Sequence, residues 1–126
     1  GNTTTGGNSN SGGSSSTPIT VVNVTLSGTT NDLSIGTTQG LIYLRLTCAA
    51  PETLTGIKAI QNSIVYVKNV GTNAITITKN DSGSAAGNRF AMAGDGPNII
   101  DQGATVTLLY DATLAAWEVH DIGGGG

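Results

Sequence analysis

The chain has 126 residues, of which 10% are charged and 4% aromatic, and five Lys and Arg against eight Asp and Glu leave a net charge of −3. That length suits one domain, the acidic balance argues against a nucleic-acid binder, and the single cysteine, Cys48, excludes an intrachain disulfide. No apolar run approaches the roughly 18–20 residues of a membrane helix, so neither nucleic acid nor membrane is an expected partner.

In chain order, residues 1–17 contain only Gly, Ser, Thr and Asn, and residues 123–126 are all glycine. These tails hold nine of the 19 glycines, so the intervening body is not glycine-rich. A segment without apolar side chains has nothing to offset the entropy of ordering its backbone. Residues 1–17 therefore read as a flexible arm, or one that orders on a partner, with Thr3, Thr4, Thr5, Asn8 and Asn10 as candidate contact residues. The chain begins with Gly1, which fits a small protein that has lost its Met as well as it fits a cut fragment.

Residues 18–122 form the expected domain, and there β-branched residues recur with a period of two. Residues 19–26 place Val22, Val24 and Leu26 on one face, and residues 41–48 place Ile42, Leu44, Leu46 and Cys48 on one face, with Tyr43 and Arg45 opposite. Residues 63–69 and 74–79 read as an antiparallel hairpin across Gly71-Thr72-Asn73, residues that tolerate a positive φ. Residues 50–54 offer at most one helical turn, and residues 54–57 read better as a short strand. Residues 104–110 and 116–120 form a second hairpin, with Val106, Leu108 and Tyr110 sharing one face and Trp117 and Val119 another. With no helical repeat of ten or more residues, the pattern predicts an all-β domain, an antiparallel β-sandwich or jelly roll.

The reactive residues form no recognisable catalytic motif. The only histidine, His120, falls on the strand face opposite Trp117 and Val119, and Cys48 continues an apolar face, as an inert buried thiol does. No enzyme, metal or cofactor is expected from this inventory. The oxygen-bearing segments Asn80-Asp81-Ser82 and Asp95-Gly96-Pro97-Asn98 read first as turns and do not match a calcium loop. Residues 79–89 are the one long irregular loop expected, and such loops are often exposed and functional. Asn80, Asp81, Ser82 and Asn88 in it, with Tyr43 as the best exposed aromatic, are the remaining partner-binding candidates. A concave site joining Tyr43 to that loop would suit a sugar, because rings stack on sugar faces while amides and carboxylates bond the hydroxyls.

The stretch Val67-Lys68-Asn69-Val70-Gly71-Thr72-Asn73-Ala74-Ile75-Thr76-Ile77-Thr78, then Asn88-Arg89-Phe90, then Ala104-Thr105-Val106-Thr107-Leu108-Leu109-Tyr110-Asp111-Ala112-Thr113 with Trp117 following, resembles a β-rich domain of tailed-bacteriophage structural proteins. The likeness runs from about Asn31 to Val119 and implies a non-enzymatic virion module, usually oligomeric, with a trimer as the expected state. Such modules occur in head fibres, capsid decoration proteins and tail fibres. The short chain and its neutral arm favour a capsid decoration (cement) protein that binds the major capsid protein or another virion subunit. The alternative is a tail-fibre or receptor-binding module that recognises a host surface glycan.

Overall fold

Alternation of β-branched and polar residues is what buries one face of a strand and leaves the other outside. The computed structural model describes residues 18–92 and 97–120. Its strands are β1 (Thr20–Leu26), β2 (Gly40–Cys48), β3 (Glu52–Leu54), β4 (Ser63–Asn69), β5 (Ile75–Ile77), β6 (Phe90–Ala91), β7 (Asn98–Ile100), β8 (Thr105–Asp111) and β9 (Ala116–His120). A single 3₁₀ turn covers Ala86–Asn88, and no α-helix occurs among the described residues. The all-β expectation is met.

Strand connectivity differs from the expected antiparallel sandwich or jelly roll. One sheet has six strands in the order β1-β2-β4-β8-β9-β6, and the other has three in the order β3-β5-β7. Strands β1, β2 and β4 pair in parallel, and so do β3 and β5. Parallel bridges join Thr30 to Leu54 and Leu33 to Ile57. The front of the chain thus winds as a short β-solenoid of three turns. Hydroxyls of Thr25 and Thr47, 22 residues apart, meet at 3.0 Å, and the Gly40 N–H meets the Ser63 hydroxyl 23 residues on. The last strands then reverse: β8 runs antiparallel to β4, β9 to β8, and β7 to β5.

The expected hairpin of residues 63–69 and 74–79 does not form, because β4 and β5 lie in different sheets. Beyond β4 the Val70 N–H continues the ladder to the Leu46 carbonyl at 2.9 Å. The buried Asn69 amide donates to the carbonyls of Asn73 (2.7 Å) and Ile100 (2.8 Å), and its oxygen accepts from the Gly71 N–H. Asn73 in turn donates to the Cys48 carbonyl at 3.0 Å. Two asparagines therefore supply partners to a corner that leads from one sheet into the other, where a hairpin would have used backbone alone. The second hairpin, β8–β9, forms as expected.

The inward faces match the sequence pattern. Ile42, Leu44, Leu46, Val65, Val67, Val106 and Leu108 are buried, as are Leu54, Ile57, Ile75, Ile77 and Ile100 from the opposite side. Trp117 fills the closed end of this core: its indole N–H donates to the Ile57 carbonyl at 2.8 Å, and Tyr110 meets it edge-on with ring centroids 5.0 Å apart. The strand expected at residues 54–57 lies earlier, at Glu52–Leu54, with Gly56 and Ile57 making isolated bridges. Gly56 lies so near the 80–88 segment that a Cβ there would stand 2.5 Å from the Asn88 carbonyl oxygen, which accounts for a glycine at that position.

Candidate interaction surface

The outward residues of the six-stranded sheet form rows set by register. One row runs Val21, Tyr43, Tyr66, Thr107 and His120 across β1, β2, β4, β8 and β9. The next holds Leu41, Ile64, Leu109 and Glu118. The row on the other side holds Asn23, Arg45, Lys68 and Thr105. Val21 is 55% exposed, Leu109 39% and Tyr66 37%, while Tyr43, Leu41 and Ile64 are half-buried by these neighbours. Six apolar or aromatic side chains thus lie contiguous on one open face, the kind of patch that marks a contact surface on a soluble protein.

Among the described residues, charge on this face is confined to two corners. Arg45 and Lys68 are adjacent on β2 and β4, with Arg45 donating to the Asn23 side chain at 3.1 Å. Neither cation has a carboxylate partner among the described residues. Diagonally opposite stand Glu118, which pairs with His120 at 3.0 Å, and Asp111. A hydrogen bond with Glu118, then the backbone N–H groups of Leu114 and Thr113, hold the Asp111 carboxyl below its ordinary pKa.

The structure separates the residues expected to form one concave site. Tyr43 is on the outward face. The 80–88 segment is instead anchored to the turn at residues 31–32 and to residues 55–59. Asp32 Oδ1 accepts from the Ala85 N–H (2.7 Å) and the Asn88 amide (2.8 Å), and Asn88 Oδ1 accepts from the Ala59 N–H. Buried Thr55 and Ser84 share a hydrogen bond of 2.7 Å, and Thr55 also bonds the Asn31 side chain at 2.6 Å. Asp81 accepts from the Gly83 N–H, and Asn80 from Arg89 at 3.3 Å. Ser82 is exposed. The segment expected as an open loop is therefore largely a structural strap, with Asn88 tying it to Asp32 and Ala59 and Asp81 bonding its own backbone. Thr3, Thr4, Thr5, Asn8, Asn10 and the pair Asp95-Gly96 lie outside the described residues.

Other chemistry-bearing groups sit as follows. Cys48 is buried, and that burial, with the nearby Glu52 charge, pushes its thiol pKa up, away from a nucleophilic thiolate. His120 is exposed on the outward face, opposite Trp117. No group of three His, Cys, Asp or Glu side chains fit to hold a metal occurs among the described residues. A groove of about 410 Å³ runs along the β6 edge, lined by Arg89, Phe90, Met92 and Leu114 among others.

Tyr43, expected as the best exposed aromatic, is half-buried, because its neighbours crowd it; Tyr66 beside it is the more exposed ring, and Leu41, Ile64 and Leu109 complete a patch that the sequence reading did not single out. The signal that could have found them is an internal period of 22–24 residues. Aligned at that period, Val21, Tyr43 and Tyr66 fall in one column, as stacked turns of a solenoid require. No family model, curated protein or solved structure matches this chain.

Proposed function

We propose that this chain is a structural virion protein of a bacteriophage, a capsid decoration (cement) protein whose partner is the major capsid protein or another virion subunit. The observation that supports this reading is the unequal finish of the two ends of the solenoid. At one end the antiparallel β8–β9 hairpin and Trp117 close the core. At the other, β1 is an edge strand among the described residues, Val21 on it and Ile19 just before it are each 55% exposed, and the sequence that leads into it is the neutral stretch of residues 1–17.

An uncovered strand edge offers unpaired N–H and C=O groups to a neighbouring chain, and natural proteins that leave one open commonly use it for strand addition. Small neutral side chains such as Asn23 and Thr25 on that edge cost less to desolvate than Lys or Glu would. Attachment in this reading rests on buried area and backbone pairing, with no chemical step, and it stabilises the shell by binding the assembled form.

Imaging of the virion tests it: density for the chain on the outer shell is expected, and density confined to the tail tip would overturn it. Deleting residues 1–17 should leave the thermal unfolding of the body unchanged while weakening shell attachment. Unchanged attachment would reduce the arm to a spacer. A second reading, a receptor-binding module for a host surface glycan, draws on the adjacent outward rings of Tyr43 and Tyr66, which form a platform of the kind sugars stack on.

A further inference from the structure

We infer that the outward face of the six-stranded sheet pairs with the same face of a second copy of this chain, about a two-fold axis that sets Arg45 of each copy against Glu118 of the other. This goes beyond attachment to the shell, since it concerns a different surface and the isolated protein.

The argument is the layout of the face. Arg45 on β2 and Glu118 on β9 are three strands apart in the sheet order. They are also two rows apart, because Arg45 shares a row with Thr105 and Glu118 pairs with Leu109. At about 4.8 Å between strands and 3.3 Å per residue, each separation is roughly 13–14 Å, so the two charges mark opposite corners of a near-square. Its centre falls between Tyr66 and Thr107, which are paired across β4 and β8.

A two-fold axis in the plane of the face, along the other diagonal of that square, exchanges the two corners. It brings cation onto carboxylate twice in one interface, as an isologous contact requires. The same axis runs through the apolar corner, so Leu41 meets its own copy and Tyr43 lies over Ile64 and Leu109. At the remaining corner His120 comes over the gap between Lys68 and Thr105, which are paired across β4 and β8. Because the square has nearly equal sides, the strands of the two sheets cross near a right angle, one of the two favoured ways for sheets to pack. An in-plane axis parallel to the strands would keep Arg45 in its own row, and one perpendicular to them would keep it on its own strand, so neither of those sets Arg45 against Glu118.

Occupancy by a second copy also explains the sparse charge elsewhere on the face. The apolar centre supplies the area, and one reciprocal ion pair fixes orientation, which is the usual division of labour at an interface.

The test is a charge swap followed by sedimentation equilibrium of the purified full chain. Wild type should show a concentration-dependent rise from monomer to dimer mass that weakens with salt. Arg45→Glu and Glu118→Arg should each weaken the dimer by about tenfold or more, since each sets two like charges face to face. An equimolar mixture of the two variants should recover a heterodimer near wild-type affinity, and so should the double variant Arg45→Glu/Glu118→Arg as a homodimer. Both side chains point outward, so unchanged far-UV dichroism and thermal unfolding will confirm folded variants. A wild type that stays monomeric at millimolar concentration, a trimer, or variants that fail to rescue each other would overturn the inference. None of those results bears on attachment to the shell through β1, which the virion images decide.

Discussion

The two ends of the solenoid are built from similar strands yet finished differently. At the closed end, β4 has neighbours on both sides, β2 and β8, and Trp117 fills the space under the final hairpin. At the open end, β1 has one neighbour among the described residues, and its inward Val22 and Val24 are only partly buried. A turn of solenoid cannot bury its own apolar face, so each turn is stabilised by the next and the terminal one is left short. The lesson is that stability should be concentrated at the closed end, leaving the open end available for attachment.

Trp117→Ala should break the closed end most severely. Removing a fully buried indole and its bond to the Ile57 carbonyl should cost about 3–5 kcal/mol. Urea unfolding checks this, and a loss under about 1 kcal/mol would mean that Trp117 is not what closes the core.

A sharper measure of the same contrast is a matched pair. Val22 and Val67 occupy equivalent positions, both paired to Leu44 of β2, one on each side. Val67→Ala should cost roughly 2 kcal/mol, because it empties a fully buried site, and Val22→Ala about half that or less. Equal losses would show that the open end is covered in solution. The inferred two-fold pairing does not predict this, since Val22 points inward.

The smallest effect expected is a pH dependence in the strap that ties the open end to the body. Hydrogen bonds from Asn88 and then from the Ala85 backbone lower the Asp32 pKa from its ordinary 3.8. A carboxyl whose folded pKa lies below its unfolded value contributes stability that is present above the unfolded value and is lost as pH falls through the folded one. Thermal unfolding of wild type should therefore fall between pH 5 and about pH 2, and Asp32→Asn should flatten that decline in part. Asp81 and Asp111, lowered by their own hydrogen bonds, leave the remaining slope. An identical decline in the variant would remove Asp32 from the strap.

Inward faces were legible where period-two alternation is clean: the buried sides of β2, β8 and β9 follow from residues 41–48, 104–110 and 116–120, whereas in residues 63–69 both sides carry apolar residues and the buried one includes Ser63 and Asn69. Pairing partners were less legible. Residues 67–78 satisfy the local grammar of a hairpin, yet the amides of Asn69 and Asn73 bond to Ile100 and Cys48, which are distant in sequence. The strap is illegible in sequence for a similar reason. Asn80, Asp81 and Asn88 look like loop oxygens open to a ligand, but Asp32, 56 residues from Asn88, takes the amide of Asn88. Strands β6 and β7, of two and three residues, are too short to carry any alternation.

By itself the sequence determined an all-β body between a polar arm and a glycine tail, the inward faces of β1, β2, β8 and β9, and a buried thiol at Cys48. Those properties follow from alternation, composition and side-chain type, which act over a few residues. Only the tertiary structure decided that the strands wind in parallel, that Tyr43 stands beside Tyr66, and that Arg45 and Glu118 mark opposite corners of one face. Each of these depends on register between strands some two dozen residues apart or more, and register is chosen by the shared core and by corner hydrogen bonds that no local segment encodes.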